Sequence, residues 1–389
     1  MVRALRVLHV IAYYAPAYVY GGPPRSVHGL VLALRRQGVD VDVFTTDANG
    51  SDRLPSQVTG NDNFEGVPVR YFRRDWPSQP IGSRPLARAL RRAVPACDIV
   101  HIHGLWNRVV WAAAREARRA GVPYVVSPRG MLERAALAHH AWLKRVGWAL
   151  VERQTVRHAA LLHATSEREL ETLRQIAPAS RVALVPNGID VGSKEVVPDE
   201  ARRDLGLSAS GPIVLFLGRL HPIKRLDLLI DAFALAKARR PDAQLVIAGP
   251  DETSLRPLLE SRAREATGAT TWLGEVDRSR ARALLAVASV LVMCSDSESF
   301  GMSVIEAMDA GVPVVVTRTC PWSDVERHGA GFWVEQRADA IADALLRIFE
   351  RPDLAHEMGA RGRALVATSY GWNVVAQSLA ARYAELVPG

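Results

Sequence analysis

The sequence predicts an α/β protein made of two doubly wound, Rossmann-like domains in tandem. Three observations carry that prediction. Short apolar runs alternate with amphipathic helical stretches along the chain, the alternation pauses once near residue 190, and it then resumes with a second series. At 389 residues the chain has room for two cores. Hydrophobic residues make up 48% and charged residues 23%, a globular balance that excludes a disordered chain.

In the first half, the runs 5–12, 39–45, 68–71, 98–103, 123–127, 160–164 and 182–185 read as strands, with helical patterns at 25–37, 109–120 and 167–175. Apolar strands separated by helices indicate parallel sheets covered on both faces. Asn187 and Gly188 mark a turn, and 191–211 holds charges, Pro198 and small residues, which reads as a linker with one short helix. The second series places strands at 213–217, 244–248, 270–273, 290–293, 313–317 and 331–334, with helices at 226–238, 279–287 and 302–310. The helical stretch 372–386 has no strand left to serve and is expected to pack back toward the first domain. The expected division is therefore 1–190, a linker 191–211, 212–370, and a C-terminal helix within 371–389. Ligands are expected at the carboxyl ends of the strands, in a cleft between the two domains.

No apolar run reaches the ~18 to 20 uncharged residues of a membrane-spanning helix. Arg3 and Arg6 before an apolar stretch imitate a signal peptide, but 5–12 is short, lacks a small-residue cleavage site and leads into a glycine-rich loop. A first strand is the better reading. Cys97, Cys294 and Cys320 are widely spaced and form neither a disulfide framework nor a metal pair, so a reduced, cytoplasmic protein is expected. The net charge of +8 is unevenly spread. Residues 1–195 carry 27 Lys and Arg against 16 Asp and Glu, while the remainder carries 22 against 25. A basic first half implies an anionic partner, with an anionic membrane surface or a phosphorylated lipid among the candidates. Nucleic acid is disfavoured, because the arginine-rich stretches lack interleaved aromatics. The segment 142–148, with Trp142, Lys144, Arg145 and Trp148, is a candidate for peripheral membrane docking; its alternative is a buried amphipathic helix.

Familiar nucleotide motifs are missing: no G-x-G-x-x-G loop follows a strand, and no Walker loop is present. No His, Cys and Asp cluster has metal-ligand spacing, so no metal site is expected. An anion must then be held by loops, cationic side chains and helix ends. The most specific run is Glu298, Phe300, Gly301, Met302, Ser303 and Glu306, which follows the strand 290–293 and opens a helix. A helix N-terminus offers unpaired N–H groups and about half a positive charge. Gly301 permits close approach of a diphosphate. Eight residues at ~1.5 Å each span about 12 Å, so Glu298 and Glu306 can reach hydroxyls at the two ends of a sugar diphosphate. The plainer alternative is one capping and one surface glutamate.

Gly218, Arg219 and Lys224 follow the strand 213–217, where Arg219 offers a bidentate fork and Lys224 a compact charge. Gly21 and Gly22 lie between the first strand and the first helix, where paired glycines allow a backbone that closes over a phosphate or an acceptor. His101 and His103 share one face of their strand, and His103, at its end, is aimed at the expected cleft. A hydrogen-bonded structural histidine is its alternative. Arg129, after the strand 123–127, and Arg25 are the candidates for meeting an anionic acceptor.

At these residues the sequence resembles the family-4 retaining glycosyltransferases of the GT-B fold. The resemblance spans nearly the whole chain and includes Gly21 and Gly22, His103, the turn from Asn187 to Asp190, Gly218 with Arg219 and Lys224, Gly249 with Pro250, Glu298 with Glu306, and Tyr370 to Trp372. It implies that Glu298 bonds the donor sugar and Glu306 the ribose, and that Arg219 and Lys224 neutralise the diphosphate. It further implies that Gly301, Met302 and Ser303 donate backbone N–H groups, with Phe300 in the same donor-binding run, and that His103 lies near the transferred sugar. The catalytic set is then His103, Arg219, Lys224 and Glu298. The implied reaction is metal-independent and needs no cofactor. Its donor is a nucleotide diphosphate sugar, with UDP and GDP both open, and its acceptor a saccharide or lipid-linked saccharide of cell-surface polysaccharide or glycolipid synthesis. Cys294 and Ser299 stand where proline is usual, and neither substitution removes a charge. The alternatives are a nucleotide-sugar epimerase or hydrolase of similar fold and a non-catalytic nucleotide-sugar or nucleic-acid binding protein. The presence of both glutamates weighs against the last.

Overall fold

The computed structural model describes residues 4–75, 79–133, 137, 142, 144, 147–192, 197–268 and 270–387. The chain forms two compact units: Met1–Gly188 together with Trp372–Gly389, and Ile189–Gly371.

Unit 1 contains β1 (Arg6–Tyr13), β2 (Asp40–Thr46), a short ribbon of β3 (Ala48–Asn49) and β4 (Asp52–Arg53), β5 (Asn63–Phe64), β6 (Val67–Phe72), β7 (Ile99–His103), β8 (Tyr124–Ser127), β9 (Leu161–Ala164) and β10 (Val182–Leu184). Its main sheet runs β10-β9-β8-β7-β1-β2-β6-β5, parallel throughout except for β5 on β6. The central strand β1 is buried between its ends, which is why its sequence is almost continuously apolar. Leu86, Leu90, Val109 and Val110, from the helices Arg84–Ala93 and Arg108–Ala120, belong to one core layer of unit 1. Leu30, Val31 and Leu34 of the helix Gly22–Arg36 join Val375, Leu379 and Tyr383 of the helix Trp372–Ala384 in the other. The indole of Trp372 fits against Gly29 and Gly188 so closely that a Cβ on either would stand 2.4 or 2.5 Å from its ring. Two residues without side chains make room for this large one, and the chain end returns to unit 1.

Unit 2 contains β11 (Ile213–Leu217), β12 (Gln244–Ala248), β13 (Thr270–Gly274), β14 (Val290–Met293), β15 (Val314–Thr317) and β16 (Gly331–Val334). They form a wholly parallel sheet in the order β13-β12-β11-β14-β15-β16. Part of the stretch expected to be a linker is structural: the helix Pro198–Asp204 puts Ala201, with Leu205 four residues on, into the same core as Leu284 and Leu285. Both units are therefore doubly wound Rossmann-like α/β domains. In each, the strand order reverses at one place, between β1 and β7 in unit 1 and between β11 and β14 in unit 2. Such switch points are where open α/β sheets take ligands.

Among the described residues no helix is long and apolar enough to cross a membrane. Within the segment 142–148, residues 143, 145 and 146 lie outside the described residues, and Trp142 is 69% exposed.

Candidate active site

At the switch point of unit 2, β11 leads into Gly218, Arg219 and the tight turn Pro222–Lys224, while β14 leads through 294–301 into the helix Met302–Asp309. The Lys224 ammonium pairs with the Glu298 carboxylate, joining the two loops across the switch point. Ser295 Oγ donates to the same carboxylate oxygen at 3.0 Å. Both charged side chains are largely enclosed, 16% and 10% exposed. Arg225, one residue further on, has a left-handed backbone and pairs with Asp227 and with Asp296, each at 3.1 Å. The Asp296 N–H also donates to the Ile223 carbonyl at 2.8 Å. On the other side of the same loop, Arg219 pairs with Glu252, beyond β12, at 2.6 Å. One loop thus presents three cations, Arg219, Lys224 and Arg225, each paired with a carboxylate that follows a neighbouring strand.

The approach of these loops depends on Gly249. Its φ of +147° and its position are closed to any side chain, because a Cβ there would stand 1.8 Å from the Gly218 carbonyl oxygen. Gly301 also needs to be glycine: its φ is +90°, and a Cβ would meet Met293 Sδ at 2.8 Å. It precedes the helix of Met302 and Ser303 and contributes no side-chain cap to the helix's first N–H groups. Glu306 lies in that helix, half-buried. Phe300, expected among the donor contacts, has its ring in the core, 5.1 Å from Trp322 and 6.0 Å from Tyr370. Trp322 Nε1 donates to the Phe300 carbonyl, so this residue anchors the loop.

Unit 1 has a pocket at its own switch point, lined by Tyr13, Pro23, His103, Asn107, Arg129 and Met131 among others. His103 is 1% exposed, and both ring nitrogens are engaged within the protein. Its Nδ1 accepts from Arg129 at 3.3 Å, and its Nε2 lies 2.9 Å from His9 Nδ1. His103 therefore has both ring nitrogens bonded within the protein while its ring lines the pocket. Three histidines, His9, His101 and His103, bring nitrogen atoms within 4.8 Å of one another. The surrounding bonds assign their protons. His163 Nε2 donates to the Val185 carbonyl at 2.7 Å, so its Nδ1 accepts from His101 Nε2 at 3.4 Å, and His101 Nδ1 accepts from the Tyr383 hydroxyl at 2.5 Å. All four Nδ1 lone pairs are occupied, which makes the cluster a hydrogen-bond network of neutral imidazoles. Burial keeps them neutral, pulling His9 down to about 3 and His163 to about 4, with His101 and His103 also far below the ordinary value.

Gly21, at φ +80°, shapes the entry to the helix Gly22–Arg36, whereas Gly22 is exposed and a Cβ there would touch nothing. Only the first of the pair is required to be glycine. Arg25 is exposed and lies over the Tyr18 ring at 4.7 Å, while Arg129 is buried in the pocket wall, so the two acceptor candidates have separate surroundings. Sequence reasoning passed over Ser295, Asp296, Arg225 and Glu252, since none carries a motif; Arg225 with Asp296 and Arg219 with Glu252 are joined across 71 and 33 residues, whereas Ser295 lies three residues before its partner Glu298. It also passed over Glu169, whose carboxylate accepts the N–H groups of Gly130 at 2.6 Å and Thr165 at 2.8 Å and so pins the Arg129 loop.

Two Rossmann-like units, the second with paired cations and carboxylates at its switch point, define the class of GT-B glycosyltransferases. Residues 21–188 match the glycosyl transferase 4-like domain, and residues 198–365 match the glycosyl transferases group 1 family. The D-inositol 3-phosphate glycosyltransferase of Streptomyces scabiei is 32% identical over 395 residues, covering 93% of this chain and 86% of the relative. The GDP-mannose:cellobiosyl-diphosphopolyprenol alpha-mannosyltransferase of Komagataeibacter xylinus is 26% identical over 406 residues, covering 99% and 94%. The crystal structure of Anabaena Alr3699/HepE in complex with UDP and glucose is 19% identical, covers 98% of this chain and 100% of that one, and superposes with a TM-score of 0.75, which shows the shared fold. The chain belongs to the family-4-like, group 1 glycosyltransferases.

Proposed function

We propose that this glycosyltransferase moves a sugar, with retention of anomeric configuration and without a metal ion, from a nucleotide diphosphate sugar to a saccharide or lipid-linked acceptor of cell-surface polysaccharide or glycolipid synthesis. The carrying observation is the Lys224–Glu298 pair across the switch point of unit 2, beside the open end of the helix Met302–Asp309. As the glycosidic bond breaks, charge gathers on the departing diphosphate. Arg219, Lys224 and the N–H groups of Gly301, Met302 and Ser303 stabilise that charge. Glu298 bonds the donor sugar and Glu306 the ribose, and each cation exchanges its present carboxylate partner for phosphate. The departing phosphate assists deprotonation of the acceptor on the same face, so no side chain acts as a nucleophile. HepE binding UDP and the Komagataeibacter relative using GDP-mannose support a nucleotide-linked donor.

The test is a panel of UDP- and GDP-sugars, screened first by thermal stabilisation and then for release of nucleoside diphosphate with candidate acceptors, with product configuration read by NMR. Arg219→Ala is expected to lower turnover at saturating donor by ~10²- to 10³-fold. Unchanged turnover would remove Arg219 from the mechanism. Alteration of the donor without any acceptor would instead indicate an epimerase or hydrolase.

A further inference from the structure

Arg129 follows β8 with a left-handed backbone, φ 56°, and only 8% of its surface exposed. A guanidinium has five N–H groups. The Nε–H goes to His103 Nδ1 at 3.3 Å, and one terminal nitrogen donates to Ser26 Oγ at 3.0 Å and Asn187 Oδ1 at 3.2 Å. The other terminal nitrogen also reaches His103 Nδ1, at 3.3 Å, which leaves one of its hydrogens without an acceptor among the described residues. Every partner is neutral. Among the described residues no carboxylate forms an ion pair with Arg129, and the nearby Glu169 spends its oxygens on Gly130 and Thr165. Burial brings the guanidinium down only to about 10, so it remains a cation at neutral pH. A charge this enclosed is ordinarily paired. Here it is oriented by three neutral acceptors and lines a small open pocket together with His103 and Asn107. That pocket lies at the carboxyl ends of β1, β7 and β8, at the switch point of unit 1. Unit 1 as a whole carries 27 Lys and Arg against 15 Asp and Glu, a field that draws anions.

We propose that this pocket receives an oxyanion of the acceptor, a phosphomonoester or a carboxylate on the saccharide, and that Arg129 supplies its missing counter-charge. The proposal rests on the transferase reading only in calling the carrier of that anion the acceptor. Anion binding itself is measurable without transfer.

The test uses the full chain with Arg219→Ala and Lys224→Ala, which removes the two donor-side cations so that added anions report on unit 1. Inorganic phosphate and sodium glucuronate are titrated separately at constant ionic strength, and the melting temperature is followed. A ligand at ten times its Kd is expected to raise the unit 1 transition by about 3 to 6 °C. Adding Arg129→Gln is expected to abolish the shift. Asn107→Asp gives a second route should Arg129→Gln not fold. It keeps the acceptor that caps the helix Arg108–Ala120 at Val110 N–H while placing a negative charge in the pocket wall. A shift with phosphate alone supports a phosphorylated acceptor, and a shift with glucuronate alone an acidic sugar. With an active wild-type chain, the acceptor bearing the matching anion should exceed its neutral counterpart by about 10- to 100-fold in kcat/KM, and Arg129→Gln should erase that ratio. No shift with either anion, or a shift surviving both pocket variants, overturns the proposal. A positive shift in a chain that never transfers sugar would leave the anion site standing and remove the transferase reading instead.

Discussion

Removing the Lys224 charge tests the central pair of unit 2 from two sides at once. A fully buried ion pair costs about 3 to 5 kcal/mol to break, whereas an exposed one costs about 0 to 1. Side chains 16% and 10% exposed fall between these limits and nearer the first. In Lys224→Met, Glu298 keeps a buried charge with the Ser295 hydroxyl as its remaining donor, and the expected loss is about 2 to 3 kcal/mol. For a unit of this size that corresponds to a melting transition lower by about 4 to 10 °C. Glu298→Gln in the same chain removes the stranded charge, so the double variant should recover about 1 to 2 kcal/mol relative to Lys224→Met. Stability is read by calorimetry and urea unfolding of all four members of the cycle, and turnover is measured alongside. The double variant should regain stability while remaining about 10²- to 10³-fold slow, because the charge that meets the diphosphate is still missing. If it melts at or below Lys224→Met, the two groups are not coupled and the arrangement at the switch point is wrong.

Gly249→Ala is expected to cost more than about 3 kcal/mol, since backbone must move when a Cβ stands 1.8 Å from the Gly218 oxygen. Near-native melting of unit 2 in that variant would contradict the close approach of the two loops. Acidification is expected to destabilise unit 1. His9 and His163 fall to about 3 and 4 in the folded chain, below an unfolded value near 6.5, so the unfolded state binds more protons between those limits. Their contribution is complete above about pH 7 and is lost as pH falls through 6 toward 4, at up to about 1.4 kcal/mol per histidine per pH unit. Glu152, raised to about 7, acts in the opposite sense between about pH 4.5 and 7, and buried Glu169, also raised, acts in the same direction as Glu152. Two carboxyls against four imidazoles leave a net loss on acidification. Calorimetry from pH 7.5 to 5 checks it, and a unit 1 transition that rose over that range would count against the neutral histidine network.

Much of the fold was legible because it is written locally. The runs at 213–217, 244–248, 290–293 and 331–334 coincide with β11, β12, β14 and β16. A strand buried on both faces reads as a mostly apolar run, and a helix buries one stripe. The helix opened by Gly301 was legible for a similar reason, since its start is marked by its own local sequence. Less was legible where two distant segments had to meet. The short ribbon of β3 and β4 carries no such apolar signature, and the short helix expected within 191–211 is Pro198–Asp204, whose Ala201 joins a core that its own sequence does not indicate.

By itself, then, the order of residues determined the two doubly wound sheets, the glycines and cations of the β11 loop, and the carboxylates before and within the helix Met302–Asp309. Tertiary structure alone decided that His9 and His103, 94 residues apart, share a hydrogen bond through the β1–β7 register, that Tyr383 on the last helix completes the same network, and that Arg129 is enclosed without an ion-pair partner among the described residues. The physical reason is one of range. Side-chain periodicity is set over a few neighbouring residues, whereas the solvation and pairing of a titratable group depend on whatever long-range strand register and helix packing bring beside it.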